Sequence, residues 1–97
     1  MALKSLMPIV WKPFAHHVAH LALHPSRPWV AVSSRHDIEI WDRQQGQRLL
    51  TLPDRDRVIW FLDWHPTRNQ LAVGYSNGVV ELWNIDEVQK QLAQLGL

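Results

Sequence analysis

There is no cysteine among the 97 residues, so neither disulfides nor thiolate metal sites can hold the fold. Stability must come from packing, within the chain or against another one. Net charge is nearly absent too. Ten basic and nine acidic residues leave +1, which gives no field suited to a nucleic-acid backbone or an anionic membrane. Long apolar runs are missing as well. The stretch Met1–Lys12 is interrupted by Lys4 and Pro8 and reads neither as a signal peptide nor as a membrane span, so a cytoplasmic protein is expected. No glycine-rich phosphate cradle and no strained nucleophile turn occurs, and no cofactor is implied.

What is present is apolar bulk: 46% hydrophobic residues, including six tryptophans. A chain this short hides only roughly two-thirds of its unfolded surface even when compact. The bulk is also organised as a repeat. Val18-Ala19-His20-Leu21-Ala22-Leu23-His24-Pro25 leads to Ile38-Glu39-Ile40-Trp41-Asp42. Ile59-Trp60-Phe61-Leu62-Asp63-Trp64-His65-Pro66 leads to Val80-Glu81-Leu82-Trp83-Asn84. The His-Pro steps are 41 residues apart and the Glu-x-Trp steps 42 apart. A period near forty marks small sheets that bury their faces by stacking on neighbours.

Proline and glycine divide the repeats into strands. Runs are predicted at Met7–Trp11, Val18–Leu23, Trp29–Ser33, Ile38–Trp41 and Arg48–Leu52, then at Val58–Trp64, Leu71–Tyr75 and Val79–Trp83. X-Pro steps end strands because proline cannot donate to a ladder, and Asn77-Gly78 is a tight-hairpin signal because both residues tolerate positive φ. Eight short, evenly spaced strands predict an all-β chain. A terminal helix is expected over about 86–96, with Asp86 as cap, Gln89 as its capping-box partner, Gly96 as stop, and Val88, Leu92 and Leu95 on one face docked on the adjacent sheet. The chain is then a single two-repeat module, repeat one spanning about 7–46 and repeat two about 47–85.

These residues resemble the WD-repeat β-propeller family. The resemblance rests on Leu62-x-Trp64-His65-Pro66, Leu71-Ala72-Val73-Gly74, Asn77-Gly78 and Glu81-Leu82-Trp83-Asn84 in the second copy. In the first copy it rests on Leu21-x-Leu23-His24-Pro25, Val30-Ala31-Val32-Ser33 and Ile38-Glu39-Ile40-Trp41-Asp42. The family's Gly-His pair is replaced by Pro13-Phe14 and Asp54-Arg55, and its buried Ser or Thr by Val32 and Val73. The departures suggest blades held mainly by apolar packing. The tail after Ile85 looks like the helical ending of some bacterial members.

The resemblance implies two four-stranded blades and a non-catalytic interaction or scaffold role, with a protein or peptide ligand. Two blades are fewer than a ring needs, so completion by self-association is expected: three or four copies would give six or eight blades, within the usual range of about four to eight. The joint would lie between Pro8, Ile9, Val10 and Trp11 of one copy and Val79, Val80 and Leu82 of the next, because open sheet edges recruit strands. The alternative is a fragment or subunit that completes a propeller on a larger WD-repeat partner. Trp60, where a strand bulge is expected, is the leading contact candidate, with His20, Arg35, Arg57 and Ser76 near the same face.

A different class of function would use histidine. His16-His17-x-x-His20 could hold a metal or serve a hydrolase, but no acidic ligand stands close by. Ser33-Ser34 with His36 and Asp37 has the letters of a triad, yet adjacent strand residues point to opposite faces. Neither an enzyme nor a metal site is expected.

Overall fold

The computed structural model describes residues 18–34, 37–52 and 58–96. The run Met7–Trp11 lies outside these residues, as do His16, His17, Arg35, His36 and Arg57.

Seven strands and one helix follow in order: β1 (His20–Leu23), β2 (Trp29–Ser33), β3 (Ile38–Asp42), β4 (Gln47–Leu52), β5 (Ile59–Trp64), β6 (Gln70–Tyr75), β7 (Val80–Asn84) and α1 (Ile85–Gln94). They form two antiparallel meanders, a four-stranded sheet β1-β2-β3-β4 and a three-stranded sheet β5-β6-β7. β4, the first strand of the second sequence repeat, pairs with β3 of the first. The sequence repeat is thus offset by one strand from the sheet. Among the described residues the second sheet has no counterpart to β4, and β7 is its edge.

The sheets stack with β1 beside β5. Register assigns the faces. His20 opposes Ser33, and Ala22 opposes Ala31, which opposes Ile40. These residues, with Ile38, Leu50 and Leu52, look toward the second sheet. Leu71 opposes both Trp64 and Trp83, and Val73 opposes Leu62 and Glu81; these look back. Between the sheets lies one buried cluster that includes Ala31, Ile40, Leu52, Ile59, Trp64, Leu71, Val73 and Tyr75. Val30 and Val32 lie on the far side of the first sheet and form a separate small cluster with Trp41.

Turn chemistry explains the punctuation. In both repeats the His-Pro imidazole holds its own turn: His24 Nδ1 accepts the Ser26 and Arg27 N–H groups at 3.1 and 3.0 Å. His65 Nδ1 accepts those of Thr67 and Arg68 at 3.1 and 3.0 Å. The intervening proline has no N–H to satisfy. The β6–β7 hairpin is looser than expected. Only Gly78 has positive φ, at 87°, and Asn77 does not. Tyr75 O accepts the Gly78 N–H at 3.0 Å while Tyr75 N–H donates to Val79 O at 2.9 Å. This is a turn followed by a left-handed glycine, a three-residue loop rather than the two-residue form.

The helix also corrects an expectation. Its cap is Asn84, whose side chain accepts the Glu87 N–H at 3.1 Å, and not Asp86. β7 runs directly into the helix, so the cap falls on the last strand residue, and Asp86 instead accepts from Asn69 Nδ2 at 2.8 Å. Ile85 is buried and Val88 and Leu92 pack on the inter-sheet cluster. Leu95 is the C-cap and exposed rather than docked, and Gly96 leaves the helix with φ of 77°.

Candidate interaction surface

The joint between the sheets is the best-built part of the molecule. Trp64, only 6% exposed, sends its Nε1–H across to Ala22 O at 2.8 Å. Its ring meets the His24 ring edge-on at 4.6 Å between centroids. Because His24 Nδ1 accepts two backbone N–H groups, its proton sits on Nε2, which donates to Asn69 Oδ1 at 3.3 Å. Burial holds the His24 pKa below the ordinary imidazole value, with help from the nearby Arg27 cation, while the Asn69 hydrogen bond and Asp86 oppose the shift. Arg27 lies over the Trp29 ring at 4.6 Å and pairs loosely with Asp86 at 3.6 Å. Turns from both sheets and the first helical turn therefore meet at one point.

A second polar feature accompanies the apolar packing of the blades. Glu39 is buried and accepts from Trp41 Nε1 and from Arg48 Nη1, each at 3.0 Å. Its repeat equivalent Glu81 accepts from Tyr75 Oη at 2.6 Å. A charged residue in a strand otherwise reads as solvent-facing. Here the Glu carboxylates take hydrogen bonds across the sheet, as buried charge requires.

Each outer face carries exposed apolar side chains. On the forward side of the second sheet Phe61, Val80 and Leu82 are exposed, Leu82 by 63%. The repeat equivalents of Val80 and Leu82 are Ile38 and Ile40, both buried against the second sheet. On the rear of the first sheet Leu21 and Leu23 are exposed, Leu23 by 58%. Their equivalents are Leu62, half-buried, and Trp64, buried. The pair of sheets thus presents, at opposite ends, the two halves of the joint it makes internally.

The sequence-expected residues fall in separate places. Trp60 stands 64% exposed where the β5–β6 register shifts between Ile59 and Phe61, as expected of a bulge that re-aims a side chain. Ser76 is exposed in the β6–β7 loop. His20 is half-buried, 3.3 Å from Ser33 Oγ through Nδ1. Val79 and Val80 are exposed beside Leu82. Arg35 and Arg57 lie outside the described residues, as do Pro8, Ile9, Val10 and Trp11, so the strand-donation half of the expected joint is not on view. The triad letters resolve into turn chemistry: Ser34 Oγ donates to Asp37 Oδ2 at 3.3 Å and accepts the Asp37 N–H at 3.2 Å. Among the described residues no three His, Asp or Glu side chains converge as metal ligands, and no helix is long and apolar enough to cross a membrane. Sequence reasoning missed Asp63, Ala72 and the acceptor role of Ala22, for which only the repeat alignment carries a signal.

Residues 17–94 match the family described as the anaphase-promoting complex subunit 4 WD40 domain. Curated relatives include the ribosome biogenesis protein ERB1 of Mycosarcoma maydis, 29% identical over 71% of this chain. Another is WD repeat-containing protein 90 of Xenopus tropicalis, 33% identical over 64% of this chain. The chain spans only 7% and 3% of their lengths. Both are eukaryotic, so they lend no support to the bacterial affinity suggested by the tail. Among solved structures, the β-propeller domain of Myceliophteria thermophila Cps50 (Swd1) superposes with a TM-score of 0.62 at 26% identity, over 69% of this chain and 22% of that one. The two stacked meanders are therefore propeller blades, and the chain belongs to the anaphase-promoting complex subunit 4 WD40 domain family of WD-repeat β-propellers.

Proposed function

We propose that the chain is a non-catalytic protein-interaction scaffold whose two blades enter a larger propeller completed head to tail by further blades. The supporting observation is the pair of exposed apolar groups on opposite faces: Phe61, Val80 and Leu82 forward, Leu21 and Leu23 behind. Apolar area of this kind at both ends of a stack favours a heterologous contact, which closes a ring or grows a filament. Copies of the chain are one source of the missing blades, with three or four closing a ring. Native mass measurement at micromolar concentration tests that form: discrete trimers or tetramers support it, and a folded monomer rules it out. Within the completed ring Trp60 is the contact for a protein or peptide ligand, since an exposed indole on a bulge is a typical anchor. Trp60→Ala should leave folding unchanged and abolish capture of such a ligand.

A second source, blades on another WD-repeat polypeptide, is favoured by one mismatch. A second copy would present Leu23 where the internal joint uses Trp64, and would place it against Asp63 where the internal joint has Ala22. Co-expression with a partner propeller lacking two blades, followed by co-purification in one-to-one ratio, would identify that source.

A further inference from the structure

Beside β5 and β7, on the forward face of the second blade, lies an open groove of about 220 Å³ whose walls include Asp63, His65, Gln70, Ala72 and Leu82. In the repeat these positions correspond to Ala22, His24, Trp29, Ala31 and Ile40. Those first-repeat residues surround the Trp64 indole: Ala22 O accepts its N–H, the His24 ring meets its edge, and Ala31 and Ile40 share its buried cluster. The molecule therefore contains two equivalent positions in the repeat, one occupied by the Trp64 indole and one, altered at Asp63, Gln70 and Leu82, open.

We infer that the groove at Asp63, Ala72 and Leu82 is a receptor for a tryptophan side chain, delivered by the inner strand of a blade on another polypeptide. The inference rests on the propeller-completion reading and names the partner's anchor. Three observations commit it to this occupant. The groove continues, by one repeat, an interface whose occupant is on view. Its mostly apolar lining includes the Asp63 and Gln70 side chains, whose carboxylate and amide oxygens are acceptors for an N–H donor. The corresponding residue of a second copy is Leu23, which carries no donor and would leave Asp63 facing an aliphatic side chain.

The test moves the anchor into the chain itself. Leu23 is largely exposed, so Leu23→Trp is compatible with the fold. It is expected to tighten self-association, read by sedimentation, about tenfold or more, because a tryptophan in a desolvated pocket is a typical hot spot. Adding Ala72→Phe, which fills the groove, should return association to the unaltered level. A folded Leu23→Trp chain that associates no more tightly than the parent, or a gain that survives Ala72→Phe, overturns the inference. Should Leu23→Trp not fold, the unaltered chain decides by NMR titration with skatole, the free tryptophan side chain. Saturable shifts at Ala72 and Leu82 at about millimolar concentration, weaker with N-methylated skatole, support the receptor, and their absence refutes it. Assembly of the unaltered chain reads the propeller-completion proposal separately. Assembly without an indole response fails only the receptor, and an indole response in a chain that assembles neither with itself nor with a partner propeller lacking two blades fails only the completion.

Discussion

Replacing Trp64 by Leu, the residue that stands at the same place in the first repeat, should remove much of the stability of the pair of blades. The magnitude follows from three contributions. The indole-to-isobutyl change leaves roughly 60 Å³ unfilled, which at about 24 cal/mol per Å³ costs ~1.5 kcal/mol. The Ala22 carbonyl loses its 2.8 Å side-chain donor, a hydrogen bond worth ~0.5–1.5 kcal/mol net. The edge-on contact with His24 at 4.6 Å is worth a further ~0.5–1.5 kcal/mol. Together these give about 3.5 kcal/mol, against a total of order 5–10 kcal/mol for a domain of this size. Urea unfolding followed by far-UV circular dichroism reads the loss as a midpoint shift of roughly 2 M for a slope near 2 kcal/mol/M. Trp64→Phe separates the terms: it keeps most of the ring and loses the donor, so about 1 kcal/mol is expected. A loss below about 1 kcal/mol for Trp64→Leu, or equal losses for Leu and Phe, would refute the view that the inter-blade joint is organised on this indole.

Other perturbations probe single features. His24 has a folded pKa below that of the unfolded chain, chiefly through burial, so the unfolded state binds the proton more readily and stability rises with pH. Its contribution is complete above about pH 6.5 and is lost as the pH falls toward the lowered folded value. Urea midpoints from pH 8 to 5 should show the decline, and His24→Asn should flatten it. Gly74→Ala sets a Cβ into the Phe61 ring and should cost about 1–3 kcal/mol; combined with Phe61→Ala the penalty should largely vanish in a double-mutant cycle. Asn84→Ala removes the acceptor for the Glu87 N–H and should cost ~1 kcal/mol, while Asn84→Asp restores it, both read by thermal denaturation.

Local elements were legible because their signals are local. Alternation and X-Pro steps located the strands on the described residues to within one or two positions, and Asn77-Gly78 marked the hairpin. The bulge at Trp60 was expected from the family resemblance, and the register shift between Ile59 and Phe61 agrees with it. What was not legible depends on reach across the fold. The sequence shows Glu39 as one polar residue alternating with Ile38 and Ile40; only pairing with β4 brings Arg48 to it. It shows His-Pro as a strand terminator; that the imidazole caps the turn through Nδ1 and still reaches Asn69 requires the second repeat in place. The helix cap was misplaced by two residues because Asp86 has the better local signature, and Asn69 and Arg27, distant in sequence, claim it.

The two repeats act as a built-in control on which differences matter. Ala31 and Ala72, the two His-Pro turns and the two Glu-x-Trp endings occupy equivalent places, so the blade itself tolerates little change there. The divergence at the joint comprises Trp64 against Leu23, Asp63 against Ala22 and Gln70 against Trp29. All three pairs belong to the joint between inner strands. Were both faces alike, any blade could follow any other, and a heterologous contact repeated without restriction closes a ring of any permitted size or extends as a filament. A rear face without the indole and a forward face carrying Asp63 make that repetition unfavourable, since discrimination needs an element that penalises the wrong neighbour as well as one that rewards the right one. In the proposed ring these departures from internal symmetry would order the blades, with Asp63 the residue that most sharply separates one neighbour from another.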